Sequence, residues 1–361
     1  MIWKAIGEMF PTITSSIDDI LGPSEKRFFG SGYRRVVYGM HDVGVTSAED
    51  GQVHAEAAIG LSYPGSWSKK KDGKERRPHF STLDALILGA ELAELCLARS
   101  HGWGYDSEDL ARSWVRKVHI AAGAKPQEDL ESLQATATRK AAPEIVLDDG
   151  FRVSVFSCRM GTMRVRLEVA HPHAPARSGQ WSYQDRSTAL CPPEHRYYGD
   201  GFKAWRHEIV DVHVDPAAPS ARGTLHILPV DPESAAAAST FGLEAAYGPS
   251  ASLVDLLVAA SQLTQAVLYD FDGIRRENSD TLWMRRTTAT AEHPHRPHTS
   301  DGVPVNATLV NPDRVVFGGD VWSTTDVIGT VGGVTLESAI AHRVGHSDIE
   351  QAKNATEQKE Q

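Results

Sequence analysis

The feature that most constrains how this chain folds is a set of three short signatures that each occur twice, in the same order. The first is Arg, two aromatic residues, Gly-x-Gly, an aromatic residue and a base; the second is Ser-x-x-Asp followed by apolar residues; the third is Trp-x-Arg-base. They lie at residues 27–34 and 196–203, 81–86 and 252–257, and 114–117 and 283–286. Three matches in one order, at offsets of 169, 171 and 169, predict two diverged copies of one unit.

The length and composition fit two ordinary globular units. The chain has 361 residues, 41% of them hydrophobic, and a net charge of −10. Scattered bases in an acidic chain argue against a nucleic-acid surface, and no apolar run is long enough for a membrane span. The start lacks the pattern of a secretory signal, so we expect a cytoplasmic protein. Three widely spaced cysteines indicate neither a disulfide framework nor a zinc site.

Each copy has the same coarse pattern of a strand, a second strand, one long helix and further strands. Both helices are apolar nearly all round, so protein must surround them. A long helix wrapped by an antiparallel sheet is the hot-dog arrangement, and we therefore predict an α+β chain with a tandem (double) hot-dog fold. The predicted strands are 33–45, 53–61, 114–120 and 151–170, then 202–214, 224–230, 282–291 and 303–328, and the predicted helices run from 81 to about 100 and from 252 to about 269.

A segment rich in Pro, His and Ser at residues 171–178 indicates the boundary between the copies. We therefore predict a first hot-dog-like repeat over residues 1–172 and a second over 173–345. The remaining residues, 346–361, are polar and are expected to form a tail.

The two long helices carry polar residues at matching positions, Asp84 and Glu91 in the first and Asp255 and Gln262 in the second. Seven residues are close to two turns, so each pair lies on one helix face. A capping box explains the Asp of each Ser-x-x-Asp pattern, but not a polar residue two turns further on, whose burial without a partner would cost a few kcal/mol. Helix caps and an interior polar pair beside a cavity both remain open.

Five further residues are candidates for chemistry or binding. Trp114 and Trp283 either fill the core or bind substrate. Arg116 and Arg285 either face solvent and pair with helix carboxylates, or hold a carboxylate, phosphate or carbonyl oxygen at a tunnel mouth. His79, just before the first helix, is a candidate reacting group, although a lone histidine is more often structural.

Other patterns predict little chemistry. The Gly-x-Gly signatures lack a third Gly and precede strands, so they indicate turns and not a dinucleotide site. The prolines among the three histidines of residues 293–298 imply an extended loop, and we expect no metal. The basic run 69–77 is either a solvated loop or a contact for an anionic partner. No signature of a serine hydrolase, P-loop or zincin occurs.

The segment 17–36, which contains the first Gly-x-Gly signature, and the Ser-Thr-Leu-Asp start of the helix at 81–84 resemble the bacterial avirulence protein D (AvrD) family. The resemblance covers most of the chain and is weakest after about residue 340. It implies a role in making syringolide-like acyl glycosides from a β-ketoacyl thioester and a pentulose. The AvrD family in turn is similar to the γ-butyrolactone signal synthases, which are fused hot dogs. No catalytic set is transferred from either family.

These expectations combine into one hypothesis, an acyltransferase that moves a β-ketoacyl group from a carrier-protein or CoA thioester to a sugar hydroxyl without a cofactor. Asp84, or His79 with it, is the expected general base, and Glu91 lies on the same helix face. The N–H groups at a helix N-terminus would polarise the thioester carbonyl. Asp255 and Gln262 would orient the substrate from the second copy, or the roles of the two copies would be reversed.

Other functions and assemblies remain open. Arg116 and Arg285 would hold the carrier phosphate or the β-keto oxygen. The alternatives are a hot-dog dehydratase or thioesterase, whose mark is a His and an Asp facing each other across the copies, and a non-catalytic binder of acyl ligands. The sequence leaves the acyl length, the acceptor and the oligomeric state, a homodimer included, undefined.

Overall fold

Two 20-residue helices organise the computed structural model, which describes residues 11–65, 67, 77–140, 145–238, 240–274 and 282–344. The α-helices of the described residues are α1 (Ile17–Leu21), α2 (Thr82–His101), α3 (Glu108–Arg112), α4 (Arg186–Ala189), α5 (Pro232–Ala237) and α6 (Leu253–Asp272). The strands are β1 (Thr12–Ser16), β2 (Val37–Ser47), β3 (Val53–Ser62), β4 (Trp114–Ala121), β5 (Leu133–Arg139), β6 (Ile145–Val146), β7 (Arg152–Met160), β8 (Met163–His171), β9 (Gly179–Asp185), β10 (Trp205–Asp215), β11 (Ser220–Pro229), β12 (Trp283–Ala291), β13 (Val303–Phe317), β14 (Asp320–Val331) and β15 (Val334–Val344). None of the described helices is long and apolar enough to cross a membrane.

Both long helices begin at the predicted capping boxes. The Ser81 hydroxyl accepts the backbone N–H of Asp84, and the Asp84 carboxylate accepts that of Ser81; Ser252 and Asp255 repeat the arrangement. Each helix ends at a glycine in the left-handed region, with φ of 69° at Gly102 and 65° after α6. Caps at both ends satisfy backbone groups that the surrounding protein would otherwise leave unpaired.

The fold is the predicted double hot dog. All of the paired strands form one antiparallel sheet in the order β1-β10-β11-β13-β14-β15-β12-β4-β8-β7-β5-β3-β2-β9, with β6 added at β7. Strands β2, β3, β5, β7, β8 and β4 wrap α2, and β10, β11, β13, β14, β15 and β12 wrap α6. Both helices are buried along almost their whole length, as their uniformly apolar sequences require.

The two halves join where β4 pairs with β12, and this seam is symmetric. His119 lies opposite Thr288, and its Nδ1 is 2.9 Å from the Thr288 hydroxyl. Lys117 pairs with Thr290 and Ala121 with Arg286. Because equivalent residues are 169 apart, the pairing is unchanged when the two halves are exchanged. An approximate two-fold axis therefore passes between His119 and Thr288.

Each half begins with a segment that packs against the other half. We call residues 12–31 the first arm and residues 179–200 the second arm. In the first arm, β1 pairs with β10 and α1 packs against α6; in the second, β9 pairs with β2 and α4 packs beside it. The strand that follows the expected boundary at residue 172 thus joins the sheet of the first half. The expected tail, 346–361, lies outside the described residues.

The Gly-x-Gly signatures form tight turns at the ends of the arms, as predicted. A Cβ atom on Gly30 would lie 2.3 Å from the carbonyl oxygen of Ser24, and one on Gly199 would lie 2.3 Å from that of Pro193. Only glycine allows this approach. The strands predicted to begin at 33 and 202 are each preceded by a turn of 3₁₀ helix that the alternation did not indicate.

Candidate functional site

A cavity lies at the start of each long helix. The α2 cavity has a volume of about 120 Å³ and the α6 cavity about 480 Å³. The α2 cavity lies between the halves. Its first-half wall consists of Arg27, Phe28, Phe29, Tyr63, Trp67, His79, Phe80, Ser81, Thr82, Ala122, Gly123, Lys125, Pro126, Gln127, Thr162 and Met163, and its second-half wall of Gln265, Tyr269, Leu282, Trp283 and Met284.

His79 lies on the wall of the α2 cavity, two residues before Ser81, the N-cap of α2. Its ring meets the Trp67 indole edge to face, with centroids 6.0 Å apart. Burial lowers the pKa of His79, and the nearby charge of Asp84 only partly opposes this effect. The imidazole is therefore neutral at neutral pH and has a nitrogen lone pair that can accept a proton.

Asp84 is fully buried directly behind this wall. Its carboxylate accepts hydrogen bonds from the Ser81 N–H at 2.8 Å, the Ser81 hydroxyl at 2.6 Å, the Tyr38 hydroxyl at 2.7 Å and the Tyr63 hydroxyl. Burial raises the pKa of Asp84, although these hydrogen bonds oppose the rise. Since Ser81 and Tyr63 line the cavity and Asp84 does not, Asp84 can act on a ligand only through them.

Asp255, the equivalent residue of α6, lines the α6 cavity and has a different partner. Its carboxylate accepts from the Ser252 N–H at 2.7 Å and from the Tyr197 hydroxyl at 3.2 Å, and it lies 2.6 Å from Nε2 of His207. When Nε2 donates to Asp255, Nδ1 accepts the Tyr33 hydroxyl 2.8 Å away. Burial pushes the pKa of Asp255 upward, but its interactions with His207 and its hydrogen bonds from Ser252 together outweigh burial, so the pKa is lowered.

Glu91 and Gln262 line neither cavity and instead bind the repeated arginines of the arms. The Arg196 guanidinium, from the second arm, donates to Glu91, and Arg186 of the same arm is 3.4 Å from that carboxylate. Arg27, from the first arm, donates to the Gln262 side-chain oxygen at 2.6 Å. Each signature arginine thus reaches the interior polar residue of the other copy's helix. This contact accounts for polar side chains two turns inside apolar helices.

Of the four Trp-x-Arg residues, only Trp283 lies on a cavity wall. Arg285 is exposed, with its guanidinium 4.3 Å from the centre of the Trp283 ring, a cation–π contact. Trp114 is buried in the core, and Arg116 is 3.6 Å from Glu168 in a partly exposed ion pair. Arg116 and Trp114 are therefore placed in structural contacts, away from both cavities.

The model of the Pseudomonas avirulence D protein (AvrD) family matches residues 12–345. The chain belongs to the AvrD family. The match begins at β1 and extends past β15, so the AvrD family covers both halves and both arms.

Solved structures similar to this AvrD-family chain share little sequence with it. They include the dehydratase domain of PpsC from Mycobacterium tuberculosis (15% identity, 84% of this chain and 97% of that one, TM-score 0.34) and the pyran synthase domain from module nine of the sorangicin pathway (13%, 85% and 98%, 0.35). An acyl-ACP thioesterase from Bacteroides thetaiotaomicron is 11% identical over 75% of this chain and 94% of that one, with a TM-score of 0.33. No curated protein sequence matched the chain.

Several residues that line or support the AvrD cavities were not identified from the sequence. They are Tyr33, Tyr38, Tyr63, Tyr197, His207 and His298. One signal was available, because Tyr38 and His207 are 169 residues apart and both bind the helix Asp. Comparing the copies position by position would have identified this pair.

The structure describes the histidine-rich loop but not most of the basic run. His298, the last of the three histidines, lines the α6 cavity. Within the described residues no group of three or more His, Cys, Asp or Glu side chains is arranged to hold a metal ion. The three cysteines are buried free thiols. Most of the basic run 69–77 lies outside the described residues.

Proposed function

We propose that this protein transfers a β-ketoacyl group from a carrier-protein or CoA thioester to a hydroxyl of a pentulose, a step in making a syringolide-like or butyrolactone-type signal. Membership of the AvrD family supports the product class. The observation that carries the proposal is the neutral imidazole of His79, which faces a cavity between the halves at the start of α2.

The wall of the α2 cavity suits an acyl thioester. Its aromatic side, with Phe28, Tyr63 and Trp283 on it, offers apolar contact for the acyl chain. Thr82, the first residue of α2, is also on the wall, so helix N–H groups can stabilise the charge that develops on the thioester oxygen. The exposed Lys125 at the rim can pair with the phosphate of the phosphopantetheine arm or of CoA.

The proposed reaction uses His79 first as a base and then as an acid. His79 takes the proton of the acceptor hydroxyl as its oxygen attacks the thioester carbonyl and forms the new C–O bond. The tetrahedral intermediate collapses by breaking the C–S bond, and His79 returns the proton to the leaving sulfur. Tyr63 is a positioning residue, because its hydroxyl bonds to Asp84 and lies 3.1 Å from the backbone oxygen of His79.

The remaining predicted site residues take no part in the acid–base chemistry of this proposal. Glu91 and Gln262 hold the arms, and the first arm supplies Phe28 to the cavity. Asp255 belongs to the second cavity and takes no part in the transfer. Acid–base work therefore stays with the first copy.

The test supplies purified full-length protein with a β-ketooctanoyl carrier protein and xylulose. We expect release of free carrier thiol together with an acylated sugar, detected by mass spectrometry. His79→Ala should reduce sugar acylation at least 100-fold, in line with loss of a general base. The exposed histidine variant His54→Ala is the matched control and should keep wild-type turnover.

Two outcomes would contradict the proposal. Release of the free acid in place of an ester indicates a thioesterase, and absence of both products across several chain lengths and acceptors indicates a binder. A dehydratase would need a His and an Asp facing each other from different copies. The His–Asp contacts of the described residues, His207 with Asp255 and His342 with Asp272, both lie within the second copy, so this geometry does not favour dehydration.

A further inference from the structure

The α6 cavity is about four times as large as the α2 cavity, and the proposed transfer does not use it. It is bounded by β10, β11, α5, the residues before α6, and the loop that carries His298. Its volume of about 480 Å³ lies within the range of roughly 300–1,000 Å³ usual for small-molecule sites. The α6 cavity is therefore large enough to bind a small molecule.

The polar groups of this cavity cluster at the start of α6. Ser252, Asp255 and Tyr197 are hydrogen-bonded to one another there. His298 lies nearby, in a T-shaped contact with Trp205 in which the ring centroids are 5.6 Å apart. It makes no hydrogen bond to the residues that the structure describes. Its ring nitrogens are thus available to a ligand.

Apart from Glu244, Gly248 and Ser250, the rest of the wall is apolar. It consists of Trp205, Ile227, Pro229, Pro232, Ala235, Ala238, Ala245 and Pro249. An occupant that satisfies both parts of the wall must have an apolar portion and a hydrogen-bonding head.

The charges on the wall exclude an anionic head. Two carboxylates, Asp255 and Glu244, line the cavity, and no lysine or arginine is among its described lining residues. Arg296 neutralises Glu244 from behind, at 2.9 Å, so the unbalanced groups are acceptors near Asp255. The α2 cavity differs, because Arg27 and Lys125 are on its wall. Hydroxyl groups can donate to Asp255 and His298, whereas a phosphate or carboxylate would be repelled.

We propose that the α6 cavity binds a neutral amphiphile, with a short acyl or alkyl chain against the apolar wall and a hydroxylated head group against Asp255 and His298. The wall chemistry alone carries this inference. The product of the proposed transfer belongs to the same ligand class, so the cavity is placed to retain such a molecule away from the α2 cavity.

The first experiment compares two ligands that each carry an eight-carbon chain. Isothermal titration calorimetry of the full-length protein is carried out with 1-monooctanoylglycerol and with octyl phosphate, both below their micelle concentrations. We expect one glyceride per chain and at least tenfold weaker binding of the phosphate. Equal affinity for the two, or no glyceride binding, overturns the proposal.

The second experiment tests whether the ligand binds in the α6 cavity. Ala235→Phe fills the apolar wall and should weaken glyceride binding at least tenfold, whereas Ala218→Phe, on the exposed turn before β11, should leave it unchanged. His298→Ala should weaken it at least fivefold and serves if Ala235→Phe fails the circular dichroism check for folding. Wild-type affinity in His298→Ala overturns the proposal. Because the assay contains no thioester, its failure leaves the acyl transfer untouched.

Discussion

Asp84 and Asp255 show how one neighbour changes the state of a carboxylate. Both lie at the third position of a long helix and share the same capping box with a serine. The partner at the equivalent strand position is Tyr38 for Asp84 and His207 for Asp255. The pKa of Asp84 is raised by burial, whereas the pKa of Asp255 is lowered because its interactions with His207 and Ser252 together outweigh burial. Environments that separate the pKa values of paired groups are a mark of divided roles.

A second buried carboxylate gives a prediction about pH. Glu94 is 3.5 Å from Arg196, yet burial outweighs that attraction and raises its pKa from 4.5 to about 7. Between these values the folded protein holds a proton that the unfolded chain has lost, so stability falls as pH rises through the window. Glu94→Gln removes the effect. From pH 5 to pH 8, the variant should lose about 2 kcal/mol less unfolding free energy than the wild type, measured by urea titration.

Glu56→Gln is the matched control for this experiment, because Glu56 is exposed and its loss should leave the pH dependence of stability unchanged. Parallel stability curves for Glu94→Gln and the wild type would show that Glu94 ionises in the folded protein as it does in the unfolded chain.

At the scale of elements, each arm crosses to the other half and binds its long helix through a buried arginine. Arg196 is fully buried between Glu91 and Glu94, so the second arm is anchored by charge. Arg27 is equally buried, but its helix partner is the neutral Gln262. Arg27 and Arg196 occupy equivalent positions. Removing Arg196 leaves buried acidic side chains, whereas removing Arg27 leaves a buried neutral amide.

This difference predicts unequal effects of the same substitution. Arg196→Ala leaves the buried carboxylate of Glu91 without its main partner and should cost about 3–5 kcal/mol of unfolding free energy. Arg27→Ala leaves Gln262 and the partly exposed Asp18, and should cost about 1–2 kcal/mol. Urea titration of both variants measures the order, and the reverse order would show that the second arm is not anchored by charge. Adding Glu91→Gln to Arg196→Ala should recover part of the loss.

The elements that could be predicted from the sequence are those whose signals are local. Both long helices, their caps, and strands such as β3 and β4 follow from periodicity and capping patterns within a few residues. The predicted strands 151–170 and 303–328 are each a hairpin. The crossing of the arms could not be predicted, because pairing of β1 with β10 depends on contacts between segments nearly 200 residues apart.

The same limit applies to the site. His79 and Trp283 could be identified because a helix start and a repeated signature mark them, and both line the α2 cavity. Tyr63 and His298 come from segments without periodicity, so their positions depend on the folded chain. Glu91 was a candidate for chemistry because the sequence around it does not indicate a partner. Its partner, Arg196, lies 105 residues away.

At the scale of the whole molecule, the symmetric seam and the crossed arms make the two halves interdependent. The sheet of the first half ends at β9, which the second half of the chain supplies, and the sheet of the second half ends at β1. Each half thus takes the outermost strand of its sheet from the other half. Cutting the chain between them should therefore leave two fragments that need each other.

A split between Arg177 and Ser178, both exposed, tests this dependence. Co-expressed fragments 1–177 and 178–361 should purify as a 1:1 complex through a tag on one of them, whereas each alone should lack cooperative thermal unfolding. The matched control, fragment 193–361, lacks β9 and α4 but keeps β12 and Arg196, and it should co-purify in lower yield than fragment 178–361. Independent, cooperative unfolding of fragment 1–177 would contradict the interdependence of the halves.

The crossed arms also decide how assembly responds to dilution. A single-copy chain of this design would have to meet a second molecule before either arm found its place, so its folding would be a second-order process. With both copies on one chain, each arm searches within a tethered volume, at an effective concentration on the order of millimolar. Assembly then becomes first-order, and the two halves stay together at any protein concentration that a cell can reach.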